Sequence, residues 1–260
     1  MTRTLHVRAW GPEDAPRVVC LHGVTSWGGH FAPLAEIALT PAYRVLAPDL
    51  LGHGASPHEP PWRLDHHLEA ILASVGEEPA CWLGHSFGGR LALELAAAAP
   101  ELVQALVLLD PAIHLLPHVA LFVAEDARAD RSYATLDEAV ERRLDESRLL
   151  PTSRARVAAE IPEHLVAHAD GRLRYRYSQA AVVAAYGELA VAPPPFDAVR
   201  VRTLVVSGAD TYVPYEPFEE AHRAALGDLL EVVTVPGGHT VLWDAFEATA
   251  AATRAFLALA

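Results

Sequence analysis

A five-residue turn, Gly84-His85-Ser86-Phe87-Gly88, constrains the fold of this chain more than any other feature. The run before it, PACWLGH (79–85), is apolar nearly throughout, as in a strand whose sheet is covered on both faces. The run after it, FGGRLALELAAAA (87–99), is rich in strong helix formers and stops at Pro100. A strand that passes straight into a helix belongs to a parallel sheet. Glycines at 84 and 88 relieve the crowding of so tight a turn and hold Ser86 in a strained conformation. Its hydroxyl then stands above the sheet, at a helix N-terminus whose free N–H groups favour negative charge.

The same alternation recurs along the chain. Strands are expected at 5–10, 17–22, 43–48, 79–85 and 103–109, with helices near 29–39, 63–75 and 87–99 between them. After Asp110-Pro111 the pattern turns helical to about residue 192, interrupted by GRLRYRYS (171–178), and the PPP at 193–195 is a stiff hinge. Strand and helix then alternate again at 201–208, 215–226, 230–237 and 241–258. The expectation is a doubly wound, mostly parallel α/β sheet formed by 1–112 plus 196–260, with a helical cap inserted at 113–195.

Composition bounds the partners. With 33 acidic against 20 basic side chains the chain carries a formal charge of −13, which disfavours nucleic acid and anionic membrane surfaces. All the basic side chains are arginine, so Schiff-base and P-loop chemistry, which need a lysine amine, are excluded. Cys20 and Cys81 sit in apolar runs and are expected as buried thiols, without disulfide or metal spacing. MTRTLHVRAW lacks the apolar core of a signal peptide, and no apolar stretch reaches the length of a membrane span. A cytoplasmic protein is expected. Nothing in the sequence bears on oligomeric state.

A serine at such a turn needs a base, and the base needs an orienting carboxylate. Among 14 histidines position must decide. His239, in PGGHTVLW, follows the last expected strand, where α/β sheets place their chemistry, whereas His222 falls in mid-helix. Two carboxylates directly follow strands: Asp210 in VVSGADTYVP and Asp110 in VLLDPA. Asp210 is preferred from the order Ser86, Asp210, His239, and Asp110 reads as a turn residue before Pro111. In Leu21-His22-Gly23-Val24 the glycine would let the backbone approach a reacting carbonyl. The Val24 and Phe87 N–H groups would be the two oxyanion donors. Asp49 and His53, in Asp49-Leu50-Leu51-Gly52-His53-Gly54-Ala55-Ser56, are read as braces of that loop.

The ordered set HG (22–23), DLLGHGAS (49–56), GHSFGG (84–89), GAD (208–210) and GGH (237–239) resembles the α/β-hydrolase fold superfamily over essentially the whole core. The resemblance implies a Ser86–His239–Asp210 triad, an oxyanion hole at Val24 and Phe87, no cofactor and a helical lid. It implies cleavage of a small-molecule carboxylic ester, thioester or lactone; relatives that open epoxides or remove halides carry aspartate where this chain has Ser86. The chain departs from the family in having room for one strand before 17–22 where two are frequent. Perhydrolases, carbon–carbon bond hydrolases, acyltransferases and a few ligand receptors with negligible turnover share these motifs, so the triad leaves the substrate open. Trp27, Phe31 and His85, together with His30, are candidate pocket walls. The apolar runs 113–125 and 178–186 either line an acyl pocket or pack the cap, and RLRYRY either binds a carboxylate or forms a self-paired edge.

Overall fold

The computed structural model describes residues 3–146, 152–213 and 215–259; residues 147–151 of the expected cap lie outside them. In the first half the chain forms β1 (Val7–Trp10), β2 (Arg17–Leu21), β3 (Arg44–Pro48), β4 (Ala80–His85) and β5 (Val103–Leu109). Between them run the one-turn α1 (Ala32–Leu34), α2 (Leu64–Val75) and α3 (Phe87–Ala98). The helix expected over 29–39 is instead a 3-10 turn (Gly28–Phe31), α1 and a π turn (Ala35–Leu39). Pro33 lacks the N–H that a continuous helical ladder needs there.

The stretch that follows β5 contains α4 (Pro117–Asp126), β6 (Ser132–Tyr133), α5 (Leu136–Glu146), α6 (Arg154–His164), β7 (Leu165–Ala167), β8 (Leu173–Tyr175) and α7 (Gln179–Leu189). It is therefore not all helical. The alternating RLRYRY run pairs antiparallel with β6 and β7 in a three-stranded sheet of order β6-β8-β7. Its arginines are used locally: Arg172 donates to Ser132, and Arg174 pairs with Asp170 at 2.7 Å. The chain ends with β9 (Arg202–Gly208), α8 (Glu216–Leu226), β10 (Leu230–Val235), α9 (Val241–Asp244) and α10 (Phe246–Leu257). The helix expected over 241–258 breaks at Ala245, whose ψ of 44° is not helical.

The main sheet has the order β1-β3-β2-β4-β5-β9-β10. β1 runs antiparallel to β3, and all other neighbours are parallel. Period-2 alternation splits the buried side chains between two layers: Val19 and Leu21 pack with Ile71 and Leu91 on one face, Val18 and Cys20 with Phe31 and Phe256 on the other. Both cysteines are free and buried, and burial pushes the Cys81 thiol up to about 11. β4 lies at the centre of the sheet with all six residues buried, so Ser86 at its end emerges over the middle of the C-terminal edge. Among the described residues no helix is long and apolar enough to cross a membrane.

Candidate active site

Ser86 occupies the sharp turn between β4 and α3 with φ of 55°, a left-handed conformation that costs a β-carbon-bearing residue free energy. The fold holds it there from two sides. The Ser86 N–H donates to the Leu109 carbonyl at 3.1 Å, and the Ser86 carbonyl accepts from Gly89 and Ala112 at 2.9 and 3.1 Å. A side chain at position 88 would collide with the Leu21 carbonyl, so only glycine lets α3 pack this close to β2.

His239, in the loop between β10 and α9, places Nε2 2.9 Å from Ser86 Oγ. Its Nδ1 lies 2.6 Å from Oδ2 of Asp110. The carboxylate on His239 is thus Asp110 and not the expected Asp210. Register gives the reason: His85 is level with Leu109 across the β4–β5 pair, so Ser86 and Asp110 are adjacent at the ends of neighbouring strands. Asp210 follows β9, one strand further out, where its side chain is exposed and its N–H donates to the Gly237 carbonyl. The neighbouring Thr211 takes part instead, donating its hydroxyl to Asp110 Oδ2 at 2.5 Å, while Gly208 N–H donates to Oδ1 at 2.9 Å. Asp110 is fully desolvated and has a φ of 43°. With Asp110 accepting from Nδ1–H, the unprotonated Nε2 faces the Ser86 hydroxyl.

The loop after β2 comes against the serine: a β-carbon at Gly23 would sit 3.2 Å from Ser86 Cβ. Leu50 N–H donates to His22 Nε2 at 2.9 Å, so the proton is on Nδ1, which donates to the Gly23 carbonyl at 2.8 Å. Burial, and then the neighbouring His53 ring, hold His22 well below the usual histidine range and keep it neutral. His53 Nε2 meets the Val24 carbonyl at 2.5 Å, and Asp49 accepts from Gly28 N–H, Ala55 N–H and Arg8. These residues brace the loop that carries the Val24 N–H.

Ser86 and His239 open into a cavity of about 1030 Å³ beneath the inserted stretch. Its lining includes the apolar Leu115, Val119, Phe122 and Leu189 and the charged Arg143, Glu146 and Glu160. Of the expected pocket walls, His85 and His30 line it. His85 Nε2 also meets the His239 carbonyl at 2.9 Å, and burial, more than the His239 and His30 rings beside it, depresses its pKa strongly. Trp27 and Phe31 do not line it. Phe31 points into the core on the other side of the sheet, and Trp27 is buried with its ring stacked on His164 at 5.4 Å and Arg8 over its face. No periodicity in so short a loop distinguishes which side of it faces the cavity. No local signal in the sequence marks Glu160 or Arg143, since both lie on helices with many charged side chains. Among the described residues no group of three or more His, Cys, Asp or Glu is arranged to hold a metal ion.

Comparison with known proteins agrees with this architecture. Residues 16–246 match the family model for the alpha/beta hydrolase fold. The chain is 37% identical to lipase LipV of Mycobacterium tuberculosis over 242 residues, 91% of each protein. It is 43% identical to a pimeloyl-(acyl-carrier protein) methyl ester esterase of Xanthomonas campestris over 106 residues, 40% of each. Among solved structures, E-2-(acetamidomethylene)succinate hydrolase superposes with a TM-score of 0.84 at 25% identity, covering 98% of both chains. Fold, motif order and these similarities together place the chain in the α/β-hydrolase fold family.

Proposed function

We propose that the protein is a serine hydrolase that cleaves a carboxylic ester through an acyl-serine intermediate, with Ser86 as nucleophile, His239 as general base and acid, and Asp110 as the group that orients it. The observation that carries this reading is the continuous hydrogen-bonded chain Ser86 Oγ–His239 Nε2, His239 Nδ1–Asp110. Its two neighbours in sequence named above, a lipase and a methyl ester esterase, support ester bonds as the target. In the first half-reaction Ser86 Oγ attacks the ester carbonyl while His239 Nε2 takes its proton. His239⁺, stabilised by buried Asp110, then gives that proton to the departing alkoxide. Water, deprotonated by the same nitrogen, attacks the acyl-serine; the bond to Ser86 Oγ breaks, His239⁺ returns the proton to that oxygen, and the acid is released. Val24 and Phe87 N–H would stabilise the oxyanion, the latter aided by the N-terminus of α3. The apolar residues of the cavity lining suit an uncharged acyl or alkyl chain, and the net charge of −13 slows the approach of strongly anionic substrates.

Hydrolysis of p-nitrophenyl esters from acetate to decanoate tests this. Ser86→Ala is expected to lower kcat by at least about 10³-fold, with the chain-length optimum reporting the room the cavity offers an acyl chain. Equal activity in the variant would overturn the nucleophile. An inactive wild type would point to carbon–carbon cleavage, perhydrolysis or binding without turnover.

A further inference from the structure

The cavity wall contains a carboxylate that the chemistry above leaves unused. Glu160 projects from α6, and its side chain is only 13% exposed. It accepts two hydrogen bonds, both from the core. His30 Nδ1 lies 2.9 Å from Oε2 and 3.0 Å from Oε1, and Trp243 Nε1 donates to Oε2 at 2.6 Å. His30 and Trp243 flank the reaction centre. His30 sits in the 3-10 turn that follows the Gly23–Val24 loop. Trp243 sits in α9, whose first turn hangs from the loop of His239: Trp243 and Asp244 N–H both donate to the Thr240 carbonyl, at 2.8 and 3.0 Å. The indole is held further by Arg143 over its face at 5.1 Å and by the edge of the His30 ring at 5.5 Å. Burial works against the charge on Glu160, yet His30, Trp243 and Arg143 together hold it below the usual carboxylate range.

We infer that Glu160 is a positioning residue: one carboxylate from the inserted stretch that ties the oxyanion-side turn to the loop of the general base, so that alignment of Ser86 with His239 depends on that stretch being seated. The geometry supports coupling and not mere packing. Both donors are buried, their hydrogen bonds to Glu160 cross from one element to another, and a small movement of α9 is transmitted directly to Thr240, the residue after His239. A shift of an ångström at a reacting pair is enough to cost one or two orders of magnitude in rate. The inference rests on the Ser86–His239 reading.

The test compares wild type with Glu160→Gln, which keeps the shape but removes the charge and leaves one accepting oxygen where there were two, and with Trp243→Phe, which keeps an aromatic ring but removes the indole donor. Two readouts are taken on folded protein: kcat and KM for p-nitrophenyl acetate, and the rate at which Ser86 Oγ displaces fluoride from the phosphorus of a small fluorophosphonate to give the phosphonyl-serine. The expected result is a fall of about 10-fold or more in kcat and a parallel fall in the phosphonylation rate, with KM within about twofold. The double variant should be no worse than the more severe single one. Unchanged kcat and phosphonylation rate in Glu160→Gln, with only the melting temperature lowered, would overturn the inference and leave Glu160 a packing residue. Should Glu160→Gln fail to fold, unchanged rates in Trp243→Phe overturn it equally. Failure of the underlying reading looks different, because then wild type itself is not labelled at Ser86.

Discussion

At the scale of single residues the decisive group is the acid. Asp110 receives three hydrogen bonds in a fully buried position, from His239, Thr211 and Gly208. Asp210 is exposed and engages the loop through its backbone. Asp110→Asn should therefore lower kcat by about 10³–10⁴-fold, since the amide can present an N–H where Nδ1–H needs an acceptor and so disfavours the productive tautomer. Asp210→Asn should stay within about twofold of wild type. Steady-state kinetics on p-nitrophenyl acetate with both variants decides, and a large loss in Asp210→Asn with none in Asp110→Asn would reverse the assignment. The juxtaposition of Ser86 and His239 was legible in the sequence because each is bound to a local signal, a tight βα turn or a glycine loop after a strand. The carboxylate that meets His239 was not. Both aspartates follow apolar strands and both preserve the order serine, acid, histidine. Only the lateral order β4-β5-β9, a non-local property of the sheet, brings Asp110 beside Ser86 and leaves Asp210 one strand away.

At the scale of elements the question is how α3, which starts at Ser86, is joined to the inserted stretch. Arg90, one turn into α3, is fully buried and spends its guanidinium on three carbonyls: Ile113 at 2.7 Å, where the chain leaves the core, and Val191 and Ala192 at 3.0 and 2.9 Å, where it returns. Glu94 balances the charge at 2.7 Å. Arg90→Met would strand Glu94 and three carbonyls and should destabilise the fold by about 3–5 kcal/mol. Urea unfolding monitored by tryptophan fluorescence measures this, and a loss under about 1 kcal/mol would show that the two crossing strands are held by other contacts. The strands and long helices of the core were readable because their periodicities are local. The 113–195 stretch was less readable: RLRYRY alternates visibly, but its partners β6 and β7 are segments of two and three residues, too short for an alternation to register. Nothing local in the sequence marks Arg90 for burial, because burial of an arginine is decided by what crosses over it.

At the scale of the whole molecule the 14 histidines matter more for stability than for chemistry. Six of them, His22, His53, His67, His85, His164 and His222, have pKa values lowered chiefly by burial, His67 to about 3 and His222 to about 4. In the unfolded chain each takes a proton near pH 6.5. Below that value the unfolded state binds more protons than the native one, so the stabilisation present above pH 6.5 is lost as the pH falls toward the lowered native values. Each such residue contributes a slope of up to about 1.4 kcal/mol per pH unit, and six in concert approach about 8, against a total stability of about 5–15 kcal/mol. Glu160, held below its usual range, adds in the same direction only below about pH 4.5. The protein is therefore expected to unfold cooperatively between about pH 6 and 5, before most of its carboxylates are protonated. Two of these rings, His22 and His53, lie 5.1 Å apart, so protonation of both also sets like charges against each other. The acid limb of esterase activity should consequently be steeper than a one-proton curve and coincide with loss of near-ultraviolet dichroism. Urea midpoints at pH 8, 6.5 and 5 provide the direct measurement, and His222→Gln, remote from Ser86, should reduce the slope by about one histidine's share. Stability that stays level down to pH 4.5 would mean that these buried rings take up protons in the native fold and are not held neutral by it.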